Sequence, residues 1–508
     1  MKSAGSGCNS CGHLAAATRR DFFSLIADGI YGAALASLLS RDVFAGNDDL
    51  ADTDKSHSAL SERAYNLKPR PPHFKPKARA IIQLLMSGAP SQMDLFDPKP
   101  MLNRHAGEMP DGVLSLRATE NLGLLASPFK FAQHGKSGIW LSEVMPHLAD
   151  VVDEIAVVRS MQSKSPIHAL GLYMLQSGQI QPGSPSLGAW TAYGLGSMNE
   201  NLPAFVVLDD LLGLPTGGVQ NWTSGYLPPI YQGTRLRAEG PAVLDLGPEG
   251  PDMPEMVRLG RDLLSRLDRI HKQVNYGQPL IDARIADYEL AARMQLAAST
   301  AMDLSEESKE TLEMYGVGQK PAVKGRIYAN PGPSNYARRC IMARRLVERG
   351  VRFVQICHNG QIWDQHGALE QDLRAACDRT DKPVAALIKD LKQRGLLDST
   401  LVVWGGEFGR LPIGQLDRSE LHAAEGRDHN THAFTVWFAG GGVKGGTVYG
   451  STDDFGYDAV QNPVSISDFH ATILHQLGID CKRLTYEMDG KARTLTGDEA
   501  RVVKEILT

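Results

Sequence analysis

The chain lacks a long basic run, and its formal net charge is −5, with 53 Lys and Arg against 58 Asp and Glu in 508 residues. A nucleic-acid partner is therefore not expected. Outside the N-terminal region, no segment approaches the roughly 20 consecutive apolar residues of a membrane-spanning helix. The sequence also shows no internal repeat. With 42% apolar and 22% charged residues, its composition is that of a globular protein with a packed core.

Cysteine is scarce, at six residues. Cys8 and Cys11 form a CxxC with His13 close behind, but no second CxxC follows to complete a zinc site. The spacing of the remaining four cysteines defines no disulfide pairing. Cys357 and Cys377 lie in segments predicted to be buried, where a free thiol acts as a small apolar residue.

The N-terminal region carries an arginine pair, Arg19-Arg20, before two phenylalanines and a mildly apolar stretch that runs to Leu39. This order is typical of a twin-arginine export signal, and the small residues near position 45 fit a cleavage point. The alternative is an ordinary amphipathic helix with a chance arginine pair. We expect residues 1–45 to be an export signal and the mature protein to be periplasmic or extracellular, without a membrane span. Residues 46–75, polar and then proline-rich, are predicted to be a linker.

Strands and helices alternate along the rest of the chain, which predicts an α/β fold with a mostly parallel central sheet and helices on both faces. Residues 76–508 are expected to form this domain, with a helical and loop insertion at 210–330. The predicted strands are 78–86, 154–159, 202–208, 351–357, 401–404 and 434–439. The predicted helices are 165–178, 256–274, 283–298, 340–349, 371–395 and 465–478.

Metal-binding residue types occur near the ends of three predicted strands. Asp364 and His366 follow the strand 351–357, Glu407 follows the next strand, and Asp428 and His429 precede the last. In open α/β sheets, ligands bind where strands end. Each residue alone is also a common capping or surface group, but the clustering favours one divalent metal site. Imidazole suits zinc and manganese, and carboxylate suits calcium, magnesium and manganese.

Ser165 has two readings, which are compatible. It is a good N-cap for a helix that begins at Pro166 and ends before Gly178, because its hydroxyl can satisfy backbone N–H groups. It also stands where a helix N-terminus favours an anion such as sulfate or phosphate. Ser163, Lys164 and His168 lie close enough in sequence to assist such a site.

Several motifs together resemble the domain-of-unknown-function 1501 family, exported proteins related to the alkaline phosphatase and sulfatase superfamily. They span most of the predicted mature chain. The motifs are SGAPSQMDLFDPKP (87–100), VVRSMQ (157–162) with His168, ARRLVERGVRFVQI (343–356), WDQH (363–366), GGEFGR (405–410), GRDHN (426–430) and FAGGGVKGGTVYG (438–450).

The resemblance implies roles for the metal-binding residues. Asp364 and His366 correspond to the superfamily's Asp…His ligand pair, and His429 to its later His ligand. Glu407 stands where an Asp-His-Gly ligand motif is usual, so it replaces the Asp while the His is missing. The superfamily's early Asp ligand is also missing, and Asp94 is the candidate that reaches in from the next turn.

The nucleophile region departs most from the superfamily, because SKSPIH (163–168) lacks the Arg of the formylglycine motif. A serine nucleophile at Ser163 or Ser165, attack by metal-activated water, and loss of catalysis remain open. In the first two cases His168 or His432 would act as general acid or base.

Three functions follow from these expectations. The first is an exported metal-dependent hydrolase of sulfate or phosphate esters, acting on a small molecule or glycan. The second is a binding or scaffold protein of the same fold that recognises sulfated or anionic glycans. The third is a metal-dependent isomerase or mutase. The sequence leaves the oligomeric state open.

Overall fold

The computed structural model describes residues 66–109, 121–210, 212–237, 303–326, 329–415 and 425–508, together with scattered positions between 259 and 302. The predicted export signal lies outside the described residues. Every described position between residues 259 and 302 is helical. No helix among the described residues is long and apolar enough to cross a membrane.

Eighteen strands are numbered in chain order. They are β1 Ala80–Leu85, β2 Asn121–Leu124, β3 Phe131–His134, β4 Ile139–Ser142, β5 Ile155–Gln162, β6 Phe205–Leu208, β7 Thr234–Leu236, β8 Phe353–Cys357, β9 Thr400–Gly405, β10 Gly409–Gln415, β11 Gly426–Asn430, β12 Phe434–Ala439, β13 Thr447–Tyr449, β14 Ser451–Thr452, β15 Ala459–Gln461, β16 Val464–Ser465, β17 Tyr486–Met488 and β18 Lys491–Arg493.

Nine helices with complete bounds among the described residues are numbered in the same way, apart from the partly described helical positions of 259–302. They are α1 Gln92–Leu95, α2 Pro100–Arg104, α3 Pro146–Ala149, α4 His168–Ser177, α5 Leu187–Leu195, α6 Lys309–Tyr315, α7 Ser334–Glu348, α8 Leu369–Gln393 and α9 Ile466–Gln476.

The central sheet has the order β13-β5-β12-β9-β1-β8-β6-β7, with β16 also paired to β5. All its pairings are parallel except those of β12, which runs antiparallel to both β5 and β9. Its inner strands are buried along their whole length and mostly apolar, as expected for strands covered on both faces. The predicted α/β fold with a mostly parallel sheet is confirmed.

Helices cover both faces of the sheet. Alternate residues of β1 point to opposite sides, so Ile82 and Leu84 belong to one apolar core and Ile81 and Leu85 to another. The first core is completed by α7 and α8, and the second by α4, α5 and α9. Because helices occupy both faces, a site is expected at the strand ends and in the loops that follow them.

Two predicted boundaries differ from the structure. The helix predicted from Ser165 begins at His168, with Ile167 as its N-cap, and it ends as expected at Gly178, which has a positive φ of 71°. Ser165 therefore is not the N-cap, because the extended residue Ile167 directly precedes the first turn. The end of the predicted linker contacts the domain, because the Arg70 backbone N–H donates a hydrogen bond to Leu195 O at 2.9 Å.

The predicted insertion at 210–330 is not made of helices and loops alone. Its strand β7 pairs in parallel with β6 and forms one edge of the central sheet. Helix α6 ends in the buried Tyr315, whose hydroxyl donates to Asp390 on α8 at 3.0 Å. This region therefore extends the sheet and packs on the helical layer.

A second, smaller sheet stands beside the carboxyl ends of the central strands. It has the order β11-β10-β2 and is antiparallel. Within it Arg410 and His429 are direct cross-strand partners. Asp428 and His429, expected just before a central strand, therefore lie on a strand of their own, and its pairing fixes their direction.

Candidate metal centre

Four side chains converge beyond the carboxyl ends of the central strands: His168, Asp364, His366 and His429. One potential ligand atom from each lies within 4.8 Å of all the others. This set is called the four-acceptor cluster below. It is the only grouping of three or more His, Cys, Asp or Glu residues with this geometry in the described part of the chain.

The four members come from three structural elements. His168 is the first residue of α4, and His429 lies on β11. Asp364 and His366 lie in the loop between β8 and α8. Gly88, with a φ of 109°, lets the turn after β1 approach this loop, because a Cβ at Gly88 would stand 2.8 Å from the Asp364 backbone nitrogen.

The carboxylate of Asp364 is the centre of the cluster. Its Oδ1 lies 3.3 Å from His168 Nε2, 3.1 Å from His366 Nε2 and 3.3 Å from His429 Nε2. The two nitrogens His366 Nε2 and His429 Nε2 are 2.9 Å apart. All three imidazoles therefore present the same ring nitrogen to the same carboxylate oxygen.

The other nitrogen of each imidazole faces an oxygen acceptor outside the cluster. His168 Nδ1 donates to Glu407 Oε1 at 2.6 Å. His429 Nδ1 donates to the Pro166 carbonyl at 2.6 Å, and His366 Nδ1 lies 2.9 Å from Gln415 Oε1. These acceptors place the ring hydrogen on Nδ1 and leave Nε2 with a lone pair, as in histidines that bind a metal.

The four atoms that face one another in the cluster are therefore all hydrogen-bond acceptors. In the described structure His168 Nε2 is buried and has no hydrogen bond of acceptable geometry. Lone pairs 2.9–3.3 Å apart repel unless a cation stands among them. Four ligands at zinc-like distances around one ion would be separated by about 3.3 Å, close to the spacings seen here. The residues therefore fit a divalent metal ion.

The electrostatics of Asp364 and His429 agree with this reading. Burial lowers the pKa of His429 to about 4, and Arg410 acts in the same direction. Burial would raise the pKa of Asp364, but Arg410 and the imidazoles hold it well below its usual range. Burial opposes protonation of His168, yet the carboxylates of Asp364 and Glu407 outweigh it and raise its pKa. Asp364 is therefore anionic and His429 neutral at neutral pH.

Arg410 is a site residue that was not predicted from the sequence. It is 1% exposed, and its Nη2 donates to Asp364 Oδ1 at 2.6 Å. Its Nε donates to Ala89 O at 2.9 Å, and its Nη1 to Arg427 O at 3.1 Å. It therefore ties Asp364 to the turn after β1 and to β11. The signal in the sequence is the arginine that ends the motif GGEFGR (405–410), one of the motifs that carry the family resemblance.

Three predicted metal residues lie next to the cluster and not in it. Glu407 is fully buried and accepts hydrogen bonds from His168 Nδ1 and from the Gly88 backbone N–H at 2.9 Å. Asp428 Oδ1 lies 3.9 Å from His366 Nδ1 and accepts from the His429 backbone N–H. Asp94 is fully buried and pairs with Arg427, Oδ2 to Nε at 2.7 Å.

The predicted catalytic residues are distributed differently. His168 is a member of the cluster. Ser165 is buried, and its hydroxyl accepts a hydrogen bond from the Ile167 backbone N–H at 3.3 Å. His432 stands apart, with 53% of its side chain exposed and an ion pair of 3.0 Å to Asp458. The roles assigned to Ser165 and His432 stay predictions.

Comparison with known proteins assigns the chain to a family. Residues 78–507 match the family described as "Protein of unknown function (DUF1501)". The chain belongs to the DUF1501 family. The resemblance predicted from the sequence is thereby confirmed, and all members of the four-acceptor cluster fall within the matched range. No curated protein matches the sequence.

Solved structures similar to this DUF1501 protein come from the alkaline phosphatase and sulfatase group. The PsFucS1 sulfatase from Pseudoalteromonas sp. is 14% identical, with 90% of this chain and 80% of that chain covered and a TM-score of 0.36. An alkaline phosphatase superfamily protein from Vibrio parahaemolyticus is 10% identical, with 86% and 74% covered and a TM-score of 0.35. The lipoteichoic acid synthase LtaP from Listeria monocytogenes is 10% identical, with 87% and 81% covered and a TM-score of 0.36.

Proposed function

We propose that this protein is a metal-dependent hydrolase of phosphate or sulfate esters. The observation that carries the proposal is the four-acceptor cluster, whose potential ligand atoms all lie within 4.8 Å of one another. The similarities to solved structures are too distant to assign a reaction, so the proposal depends on the site itself and on the family resemblance.

The donor set favours zinc, or another transition metal that imidazole binds well, over calcium and magnesium. Three imidazole nitrogens and one carboxylate oxygen suit zinc, whereas calcium and magnesium prefer sites made of oxygen ligands. His168, Asp364, His366 and His429 would hold the ion. When bound, such an ion polarises an ester oxygen and lowers the pKa of water.

The protein's own residues would prepare this chemistry. Glu407 and the Pro166 carbonyl fix the ring orientations of His168 and His429, and Arg410 fixes the Asp364 carboxylate. The segment from Ser163 to Pro166 runs directly into the centre, so the hydroxyl of Ser165 is the candidate group to attack the ester or to orient the attacking water. With all three cluster imidazoles turned to the centre, His168 is not free to act as a general base.

Elemental analysis combined with turnover of phenyl phosphate and phenyl sulfate tests the proposal. We expect about one metal ion per chain and measurable, chelator-sensitive hydrolysis of at least one ester. His429→Ala should lose both metal and activity, while His134→Ala, on the separate hairpin of β3 and β4, should keep both. A pure protein without stoichiometric metal contradicts the metal centre. A metal-loaded protein that binds these anions without cleaving them supports the scaffold alternative instead.

We also propose that the chain is exported through its N-terminal arginine pair. Fusion of residues 1–50 to a reporter that is active only outside the cytoplasm tests this, because Arg19→Lys with Arg20→Lys should abolish transport by a twin-arginine route. Transport that is unchanged by the double substitution would contradict it.

A further inference from the structure

We infer that a cavity beside the metal centre binds the alcohol portion of the ester and that this portion is a sugar or similar polyol. The inference rests on the proposed function and extends it to a substrate class. The cavity has a volume of about 770 Å³. Residues on its wall include Ser163, Lys164, Thr431, His432, Ser467 and Arg501.

Two chain segments join the cavity to the metal centre. Ser163 and Lys164 line the cavity, and Pro166, two residues after Lys164, accepts the hydrogen bond of His429. His432 lines the cavity and is three residues from His429 itself. Three residues of extended chain span at most about 11 Å, so the Cα atoms of the wall residues Ser163 and His432 lie within that distance of those of Pro166 and His429, respectively.

The two segments are also bound to each other and to α4. The Ser163 backbone N–H donates to Thr431 O at 2.9 Å. Helix α4 starts with the cluster residue His168 and contributes Met174, near its other end, to the cavity wall. One rigid arrangement therefore builds the metal centre and the cavity, which is the geometry expected of a reacting group and its leaving group.

The chemistry of the wall selects a polyol over an aromatic or aliphatic group. Pockets for apolar ligands are lined mainly by hydrophobic and aromatic side chains. This wall instead carries hydroxyls and charges of both signs, with Lys164 and Arg501 as cations and Asp498 and Glu499 as anions. A sugar offers donors and acceptors on almost every carbon and can satisfy such groups, whereas a phenyl ring would desolvate them without compensation.

One hydroxyl on the wall has no partner of its own. Ser163 Oγ is shielded from solvent and makes no hydrogen bond to any residue that the structure describes. Buried polar groups in native proteins are nearly always hydrogen-bonded, so an unpartnered hydroxyl here points to a ligand or water. A sugar hydroxyl entering from the cavity supplies both the donor and the acceptor that Ser163 lacks.

Calorimetry on the metal-loaded full chain tests the inference with glucose 6-phosphate, phenyl phosphate, inorganic phosphate and the corresponding sulfur compounds. We expect the glucose ester to bind at least about tenfold more tightly than the phenyl ester, since sites that hydrogen-bond hydroxyls reject analogues without them. Ser467→Trp, which fills the cavity, should remove this preference and leave binding of the inorganic anion unchanged. Lys164→Ala should reduce it, and Lys309→Ala, on the exposed face of α6, should not.

The outcomes separate this inference from the proposed function. Hydrolysis of phenyl esters without preference for the glucose ester, or a preference that Ser467→Trp leaves intact, overturns the polyol pocket alone. Binding of the glucose ester that Ser467→Trp removes, without hydrolysis, supports the pocket and overturns the hydrolase. A protein that binds neither organic ester overturns both.

Discussion

Two buried polar clusters lie beyond the carboxyl ends of the same central sheet, and they solve the problem of burying charge in opposite ways. The first is the four-acceptor cluster. The second, called the arginine cluster here, consists of Asp210, Arg339 and Arg379 with the neighbouring His358 and Asn359. Asp210 follows β6, and His358 and Asn359 follow β8, which neighbours β6 in the sheet. Asp364 and His366 of the four-acceptor cluster also follow β8, so both clusters lie beyond this part of the sheet.

The arginine cluster contains its own cations. Arg339 Nη2 donates to Asp210 Oδ2 at 3.0 Å, and Arg379 Nη2 donates to the same oxygen. Arg379 Nη1 donates further to Asn359 Oδ1 at 3.2 Å. All three charged side chains are almost fully buried, so the pairing occurs in a medium where an isolated charge would be costly. No metal is needed to hold this cluster together.

The pKa values of His358 in the arginine cluster and His168 in the four-acceptor cluster shift in opposite directions. Burial, with Arg379 and Arg339 close by, holds the pKa of His358 well below its ordinary value. In the four-acceptor cluster, burial also opposes protonation of His168, but two carboxylates outweigh it and raise the pKa. The arginine cluster has two guanidinium groups around one carboxylate, whereas the four-acceptor cluster has the single guanidinium of Arg410 against the carboxylates of Asp364 and Glu407, which favours an additional bound cation. This contrast can be tested by substitutions on either side.

The largest effect is expected from His429→Ala, which removes one of three imidazoles from the four-acceptor cluster. The loss of a direct ligand should weaken metal binding by more than the roughly 10–100-fold typical of residues that only orient a ligand. Metal content after dialysis and ester turnover should fall together. Chelation should lower the melting temperature of the wild type and leave that of the variant almost unchanged.

The contrast would fail if His429→Ala kept a full complement of metal. His432→Ala provides the matched control, because its histidine is only three residues away, half-exposed, and paired with Asp458 outside the cluster. It should retain metal, although its activity will fall if His432 serves as a general acid.

The second effect is on stability and should leave the metal in place. Asp210→Asn removes the carboxylate that Arg339 and Arg379 share, and leaves two buried guanidinium groups without their counter-charge. The expected loss is about 3–5 kcal/mol of unfolding free energy, the range seen when one partner of a buried pair is removed. Urea unfolding followed by circular dichroism measures the shift of the midpoint.

Metal content is the critical comparison for this variant. Asp210→Asn protein that remains folded should bind metal as the wild type does, because no arginine-cluster side chain is part of the four-acceptor cluster. Lys309→Ala, which breaks an exposed ion pair on α6, should change neither quantity. Metal loss in Asp210→Asn would show that the two clusters act as one.

Most of the central fold could be predicted from the sequence because its strands are continuous apolar runs. The predicted strand 434–439 has the bounds of β12, and 351–357 differs from β8 only at its start. The small sheet β11-β10-β2 was missed because its strands contain glycine, proline and charged residues in place of a period-two apolar pattern. Several of its buried positions hold hydrogen-bonded polar side chains, such as Arg410, Gln415 and Arg427, which periodicity does not detect.

The site was predictable to the extent that it depends on residue type near strand ends. Asp364, His366 and His429 were expected together and do meet. The place of Asp94 was not predictable, because its carboxylate is matched by Arg427 from a strand that the sequence did not reveal. Glu407 has the expected position beside the site, but its rotamer turns it toward His168, a contact between residues 239 positions apart in the chain.

A smaller effect is expected when a residue behind a ligand is changed. Glu407→Ala removes the acceptor that holds the Nδ1 hydrogen of His168, and should weaken metal binding about 10–100-fold. Glu407→Gln keeps an amide oxygen for this hydrogen bond and should lose less. Competition with a chromophoric chelator measures both affinities. Equal affinities in the wild type and in Glu407→Ala would mean that His168 is oriented by packing on Phe408 alone, their ring centroids being 4.9 Å apart.

The smallest effect is a pH dependence confined to the arginine cluster. The pKa of His358 is lowered in the folded state, so the unfolded chain binds a proton below about pH 6.5 that the folded protein refuses. The free energy of unfolding should therefore decrease as the pH falls below that value, by about 1.4 kcal/mol per pH unit from this group.

His358→Phe keeps a ring stacked on Tyr336, whose centroid is 4.5 Å away, and removes the titrating group. In chelator-treated protein, urea unfolding between pH 5 and 8 should show the wild type losing stability more steeply than the variant below pH 6.5, with a constant difference above pH 7.5. Parallel curves would mean that His358 takes up a proton in the folded state. The arginine cluster would then accept an additional positive charge, and the proposed difference between the two clusters would be wrong.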